Sequence, residues 1–159
     1  MKRFSLTLLL VAVLVAVTTI TIAQEKPWFD MKNCAFCKTL LKDPQLVENM
    51  TFEHHDISNG MLSLTVVKPE FHDSYMAAEH EMEKLAAEVA SGNTNIPMCG
   101  SCKYYGKLVM AGAKFEHIST CAGEILLITS DKPEVLEMIR YYAKRSRDEL
   151  AKWEPPEAE

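Results

Sequence analysis

Apolar and polar positions alternate along two paired stretches of the chain. TFEHHDI and MLSLTVV flank Ser58-Asn59-Gly60, and KFEHIST and EILLITS flank Cys121-Ala122-Gly123, so each pair reads as a β-hairpin. Leu62, Leu64 and Val66 share a face opposite Ser63 and Thr65, which predicts a sheet packed on one side through those three residues. In EILLIT both faces are apolar, so the second hairpin is expected to be the more central. After each hairpin the triplet KPE opens a helical pattern. Phe71, Tyr75, Ala78, Met82, Leu85 and Val89 step by threes and fours from about Glu70 to Ala90, and Val135, Met138, Ile139 and Tyr142 do the same near the end. Asp131 and Glu134 have capping-box spacing. Beyond Tyr142 the strongly charged AKRSRDELAKW predicts a helix end that leaves the core or frays, with residues 153–159 a disordered tail.

Each hairpin is preceded by the same short motif. NCAFCKTLL contains Cys34 and Cys37, MCGSCKYYG contains Cys99 and Cys102, and both read CxxCK. Aligning them pairs Phe52 with Phe115, Glu53 with Glu116, His54 with His117, Gly60 with Gly123 and Leu64 with Leu127. One residue out of step, Lys68-Pro69-Glu70 then pairs with Lys132-Pro133-Glu134. The pattern predicts a duplicated unit, about 31–91 and 97–150, joined by SGNTNIP. Each unit would be a short helix at CxxC, a hairpin and a long helix, with Asp43-Pro44 breaking and restarting the first short helix. The expected fold is α+β: two tandem helix-hairpin-helix repeats, related by a pseudo-twofold axis, form a four-stranded antiparallel sheet with helices packed on it. A single domain over 24–152 would hold both.

The first residues change the compartment. MKRFSLTLLLVAVLVAVTTITIAQEK has two basic residues and then no charge from Phe4 to Gln24, which reads as an export signal over 1–23 with small residues Thr21 and Ala23 before the cut. The run is also long enough to remain as an uncleaved anchor, the one route to a membrane. In both cases the remainder is expected to be exported, periplasmic or extracellular. Without Lys2 and Arg3 the chain has 15 basic and 22 acidic residues, a formal charge of −7, and nucleic acid is excluded as a partner. Oligomeric state has no signature in the sequence. The remaining 136 residues can bury a core without staples, so the cysteines call for a local explanation.

Five cysteines leave Cys121 over if both pairs are used together. Under a metal reading, the two-residue spacing turns both sulfurs of a pair to one side, and two pairs make a tetrahedral site for zinc, with copper as the alternative. The 61 residues between the pairs exceed a local zinc ribbon, so the fold must bring the pairs together. Sulfurs roughly 3.5 to 4 Å apart around one centre would satisfy zinc at about 2.3 Å. Failing that, His54 and His117 are the first additional ligands. Under a redox reading each pair cycles between dithiol and disulfide, and Cys99-Gly-Ser-Cys102-Lys resembles the Cys-Gly-Pro-Cys-Lys motif of thioredoxins. Under a third, the cysteines form inert disulfide staples after export.

Each unit also resembles, remotely and in part, the heavy-metal-associated domains, in which a CxxC loop is followed by helix, hairpin and helix. CGSCKYYGKLVMAGAKFEHISTCAGEILLITSDKPEVLEMIRYYA follows that order. The resemblance implies a soft ion of the copper type held by two cysteines, although Met98 adjoins Cys99 where the family has a one-residue gap. His72, Met76 and His80 line up at steps of four on the first long helix, which sets a soft sulfur between two imidazoles but is more simply read without a ligand role; Glu79 and Glu83 on the same helix read as a solvated face. No GxSxG, HExxH or phosphate-cradling glycine loop points to an enzyme.

Overall fold

Residues 26–152 are described by the computed structural model; the expected export signal and the expected tail lie outside them. Strands β1 (Met50–Ile57), β2 (Gly60–Val67), β3 (Lys114–Thr120) and β4 (Gly123–Thr129) form one antiparallel sheet in the order β1-β2-β4-β3. Helices α1 (Ala35–Thr39), α2 (His72–Ala90), α3 (Gly100–Met110) and α4 (Pro133–Leu150) complete the α+β architecture that the sequence predicts. None of the described helices is long and apolar enough to cross a membrane.

Exchanging the two halves of the chain leaves this strand order unchanged, because each hairpin supplies one edge strand and one central strand. The expectation of a more central second hairpin is therefore corrected. The apolar EILLIT is the inner strand of its hairpin, and MLSLTVV is the inner strand of the other. These two strands meet in an antiparallel ladder with Leu62 opposite Leu127 and Leu64 opposite Ile125.

Gly60 and Gly123 open the central strands and are equivalent in the two halves. A Cβ on Gly60 would fall within van der Waals contact of the Ile128 carbonyl oxygen, and one on Gly123 would meet that of Thr65. Gly123 also has φ +134°, which a side chain would strain. Each glycine thus lets its strand pass close to the other hairpin, and the β2–β4 ladder needs both.

Packing assigns the sheet faces differently from the alternation. Met61 and Val67, at 0% and 2% exposure, share the pleat with Ser63 and Thr65 and enter the core. Leu62, Leu64 and Val66 lie on the opposite face, which no described element covers. The alternation misleads because the core-facing set is apolar only at its ends, with two small polar residues between. One cluster joins Leu40, Leu46, Val47, Val67, Tyr75 and Ala78; the other joins Met61, Leu108, Ile128, Val135, Ile139 and Ala143.

Two local expectations about α4 also change. Asp131 does not close a capping box: Lys132 is the N-cap without a side-chain bond, and Asp131 instead pairs with Lys114 at 2.6 Å. The charged end does not leave the core. Ala143 and Ser146 are fully buried, the Trp28 indole N–H donates to Ser146 Oγ at 3.0 Å, and Arg147 holds Asp56 of β1 in a two-pronged bond at 2.9 and 3.2 Å. Its charges occupy one side of a helix whose other side is buried.

Gly60→Ala and Gly123→Ala are each expected to lower the unfolding free energy by about 2–4 kcal/mol, through overpacking against backbone. Gly106 sits within α3 with open space around its Cα, so Gly106→Ala is expected to raise stability by about 0.5–1 kcal/mol through helix propensity. Urea titration of the three variants checks both directions.

Candidate metal centre

Both CxxC motifs place their first cysteine as an N-cap in extended conformation and their second in the first turn. Cys34 caps α1 with ψ 125°, and Cys99 caps α3 with ψ 179°. The backbone then turns both sulfurs of a pair toward the same side.

Cross-laced hydrogen bonds hold the two helix starts against each other. The Ala35 N–H donates to the Pro97 carbonyl at 2.8 Å, so the segment leading into the second motif binds the start of the first helix. Reciprocally, the Gly100 and Ser101 N–H groups donate to the Pro27 and Trp28 carbonyls at 2.9 and 2.8 Å. A Cβ on Gly100 would approach Pro27 and Trp28 to 3.2 Å. That crowding accounts for CGSC in the second motif where the first has CAFC.

Cys34, Cys37, Cys99 and Cys102 consequently form one cluster, with all four sulfurs within 4.8 Å of one another. Cys34 and Cys102 approach to 3.6 Å and Cys37 and Cys99 to 3.8 Å. A regular tetrahedron with a metal–sulfur distance of about 2.3 Å has edges of about 3.8 Å. Both contacts cross between the motifs, and exchanging the halves converts one into the other. Cys34 and Cys99 are buried and Cys37 and Cys102 half-buried; no disulfide joins them, and Cys121 is exposed at the β3–β4 turn, apart from the cluster.

Four thiols at this spacing ionise unevenly. Hydrogen bonding to Cys102 pushes Cys34 well below the usual thiol range and Cys99 down to about 7. Cys102 is pushed up by its bonds to Cys34, Cys37 and Cys99 and by burial. The Cys102 thiol favours ionisation of Cys37, but contacts with Cys34 and Cys99 and burial outweigh it and push Cys37 up. Buried thiolates repel one another, and a bound cation is what allows all four to ionise together.

Aromatic residues wall one side. Trp28 packs against Tyr104, Tyr141 and Tyr142 with ring centres 5.7 to 6.3 Å apart, and the Arg145 guanidinium lies 5.8 Å from the indole centre. The Tyr142 hydroxyl bonds to Ser101 Oγ, between the two cysteines of the second motif, at 3.0 Å. Sequence reasoning missed Pro27, Trp28, Ser101 and Tyr142. The signal for Trp28 was a large aromatic in the polar EKPWFD just ahead of the first motif.

The two secondary histidines do not join the cluster. His54, on β1, lies against Tyr142 with ring centres 6.3 Å apart, and its Nδ1 is buried without a partner among the described residues. Tyr142 thus reaches the second motif where His54 does not. His117, on β3, bonds through Nδ1 to Glu124, which also accepts from the Tyr75 hydroxyl at 3.1 Å. Glu79 lies in the same polar group, pushed above the usual carboxyl range by burial and by Glu124. Equivalence in the repeat reflects a shared strand position, and each histidine has a different neighbourhood. Of the helical trio, Met76 is exposed and His80 faces Glu83 at 3.5 Å; the expected solvated face is corrected at Glu79, which is half-buried beside Glu124.

Comparison with protein-family models, curated proteins and solved structures finds no match.

Burial first, and then Arg147, lower His54 to about 4. Its folded-state value lies below the ordinary 6.5, so the unfolded chain takes up the proton first. The neutral ring's contribution is complete above about pH 6.5 and is lost as pH falls toward 4, amounting to about 2–3 kcal/mol. His54→Gln is expected to lose about 2 kcal/mol less than the unaltered protein between pH 7 and pH 4. Urea unfolding with chelator present, which removes any contribution from metal loss, measures the difference.

Proposed function

We propose that the protein holds one metal ion in a tetrathiolate cage made by Cys34, Cys37, Cys99 and Cys102, with zinc bound structurally as the leading form. The observation that carries this reading is the convergence of four sulfurs from two distant motifs within 4.8 Å. Four soft anionic ligands at tetrahedral spacing suit zinc, which has no geometric preference of its own and no redox chemistry. When bound, the ion would supply positive charge that offsets four thiolates and a cross-link between the halves. The chain contributes the rest: N-cap backbone aims the sulfurs, Pro27 and Pro97 carbonyls fix the helix starts, and burial of Cys34 and Cys99 limits water.

Copper handling, implied by the resemblance to heavy-metal-associated domains, is the second reading. It requires a pair of cysteines, and the presence of two further sulfurs favours zinc. Thiol-disulfide chemistry is the competing class, supported by the two cross-motif approaches. The location is proposed to be outside the cytoplasm, a reading supported by the apolar N-terminal run alone.

Protein purified from an oxidising compartment is expected to contain one ion per chain by elemental analysis, with Cys121 the one readily titrated thiol. Cys34→Ser and Cys99→Ser should each abolish stoichiometric binding. Affinity should fall as pH drops below about 7, because protons compete for the thiolates. Free zinc at a thousand times its dissociation constant should add about 4 kcal/mol to unfolding stability. Metal-free protein with two disulfides among the four cysteines would defeat the zinc reading and establish the thiol-disulfide one.

A further inference from the structure

The sheet face turned away from the helices is apolar at its centre. Leu62 and Leu64 of β2 adjoin Leu127 and Ile125 of β4 across the ladder, and Val66 and Ile118 extend the patch at 39% and 41% exposure. No described helix or loop packs on it. Contiguous apolar surface with a polar margin marks an interaction site, and here the occupant can be argued from shape and charge.

Four strands about 4.8 Å apart and seven or eight residues long at about 3.3 Å each make a face of roughly 19 by 25 Å. That is about 500 Å² in flat projection and about 1,000 Å² over two partners, the threshold for specific association before side-chain relief is added. The margins carry both signs. On this face edge strand β1 presents Glu53 and His55, in contact at 2.8 Å, and edge strand β3 presents Glu116 and the start-of-strand Lys114. A copy turned about an axis in the plane of the interface sets Leu and Ile against Leu and Ile at the centre. With that axis along the strands the register brings His55 opposite Glu116 and Glu53 opposite Ile118; with the axis across them it brings Glu53 opposite His55 and Ile118 opposite Glu116. The chain's own N-terminal run, without charge from Phe4 to Gln24 and preceded by Lys2 and Arg3, is the competing occupant that the test below distinguishes.

We infer that this face is a homodimer interface, in which two copies pack sheet against sheet about a twofold axis. The geometry is that of a β-sandwich: two twisted sheets about 10 Å apart with mean strand directions within about 30°. An isologous contact of this kind closes on itself and does not propagate into fibres. It leaves the cysteine cage, at the helix starts, outside the interface.

The test is the mass in solution of the exported protein, its N-terminus defined by mass spectrometry, using light scattering at micromolar concentration. The unaltered protein should have twice the chain mass. Leu64→Glu and Leu127→Glu should each have the mass of one chain while keeping the metal content and circular dichroism of the parent, which separates dissociation from unfolding and from failure of the metal reading. A monomeric parent overturns the inference, and so does a dimer that survives both substitutions. A parent that is monomeric with residues 1–25 present and dimeric without them would assign the face to the N-terminal run instead. If Leu64→Glu fails to fold, Ile118→Lys, at the exposed margin, gives the same reading.

Discussion

Everything distinctive in this structure depends on the antiparallel contact between β2 and β4. It is the one ladder that joins the halves, since β1–β2 and β3–β4 are local hairpins. Its register places Gly60 opposite Thr129 and Val66 opposite Gly123, so the two ends of the ladder are fixed by backbone approach that a side chain would obstruct. Once the inner strands are paired, the helices that follow each hairpin pack over the same side of the sheet. α4 then lies across β1 and β2, strands of the other half.

That arrangement converts two separate motifs into one site. A single CxxC offers two sulfurs and leaves half the coordination sphere of a tetrahedral ion open. Here the short approaches, Cys34 to Cys102 and Cys37 to Cys99, run between halves. The cage is therefore a property of the assembled sheet, as are the bonds from Ala35 to Pro97 and from Gly100 to Pro27. Outer partners reinforce the second motif more than the first: Trp28 crosses it, Tyr142 bonds to Ser101, and the indole is tied to Ser146 on α4.

Much of this was legible in the sequence where the controlling physics is local. Hairpins announce themselves by alternation and glycine turns, long helices by steps of three and four, and the four clustered cysteines by a spacing that suits an N-cap. The α+β class followed from arranging those parts. Legibility failed where distant residues decide. Both sides of β2 carry apolar residues, and only packing shows that Met61 and Val67 select the core face. The charged end of α4 reads as loose until Trp28, 118 residues away from Ser146, is found against it. Asp131 had a plausible local partner in a capping box and a better one in Lys114. His54 and His117 looked equivalent because strand position repeats, yet their surroundings differ: an aromatic wall for one and an acidic cluster for the other.

The separation of the cage's halves along the chain also sets an order of events during folding. Cys37 and Cys99 are 62 residues apart, and a flexible loop of that size closes slowly relative to a hairpin turn. Loop-closure entropy therefore favours hairpin formation and strand register ahead of the meeting of the sulfurs. Under the metal reading, an ion arriving early would meet pairs that offer two sulfurs each, and one arriving late would meet the closed cage of four. An ion held as proposed would act as a latch engaged at the end of assembly, slowing the reverse journey more than it speeds the forward one.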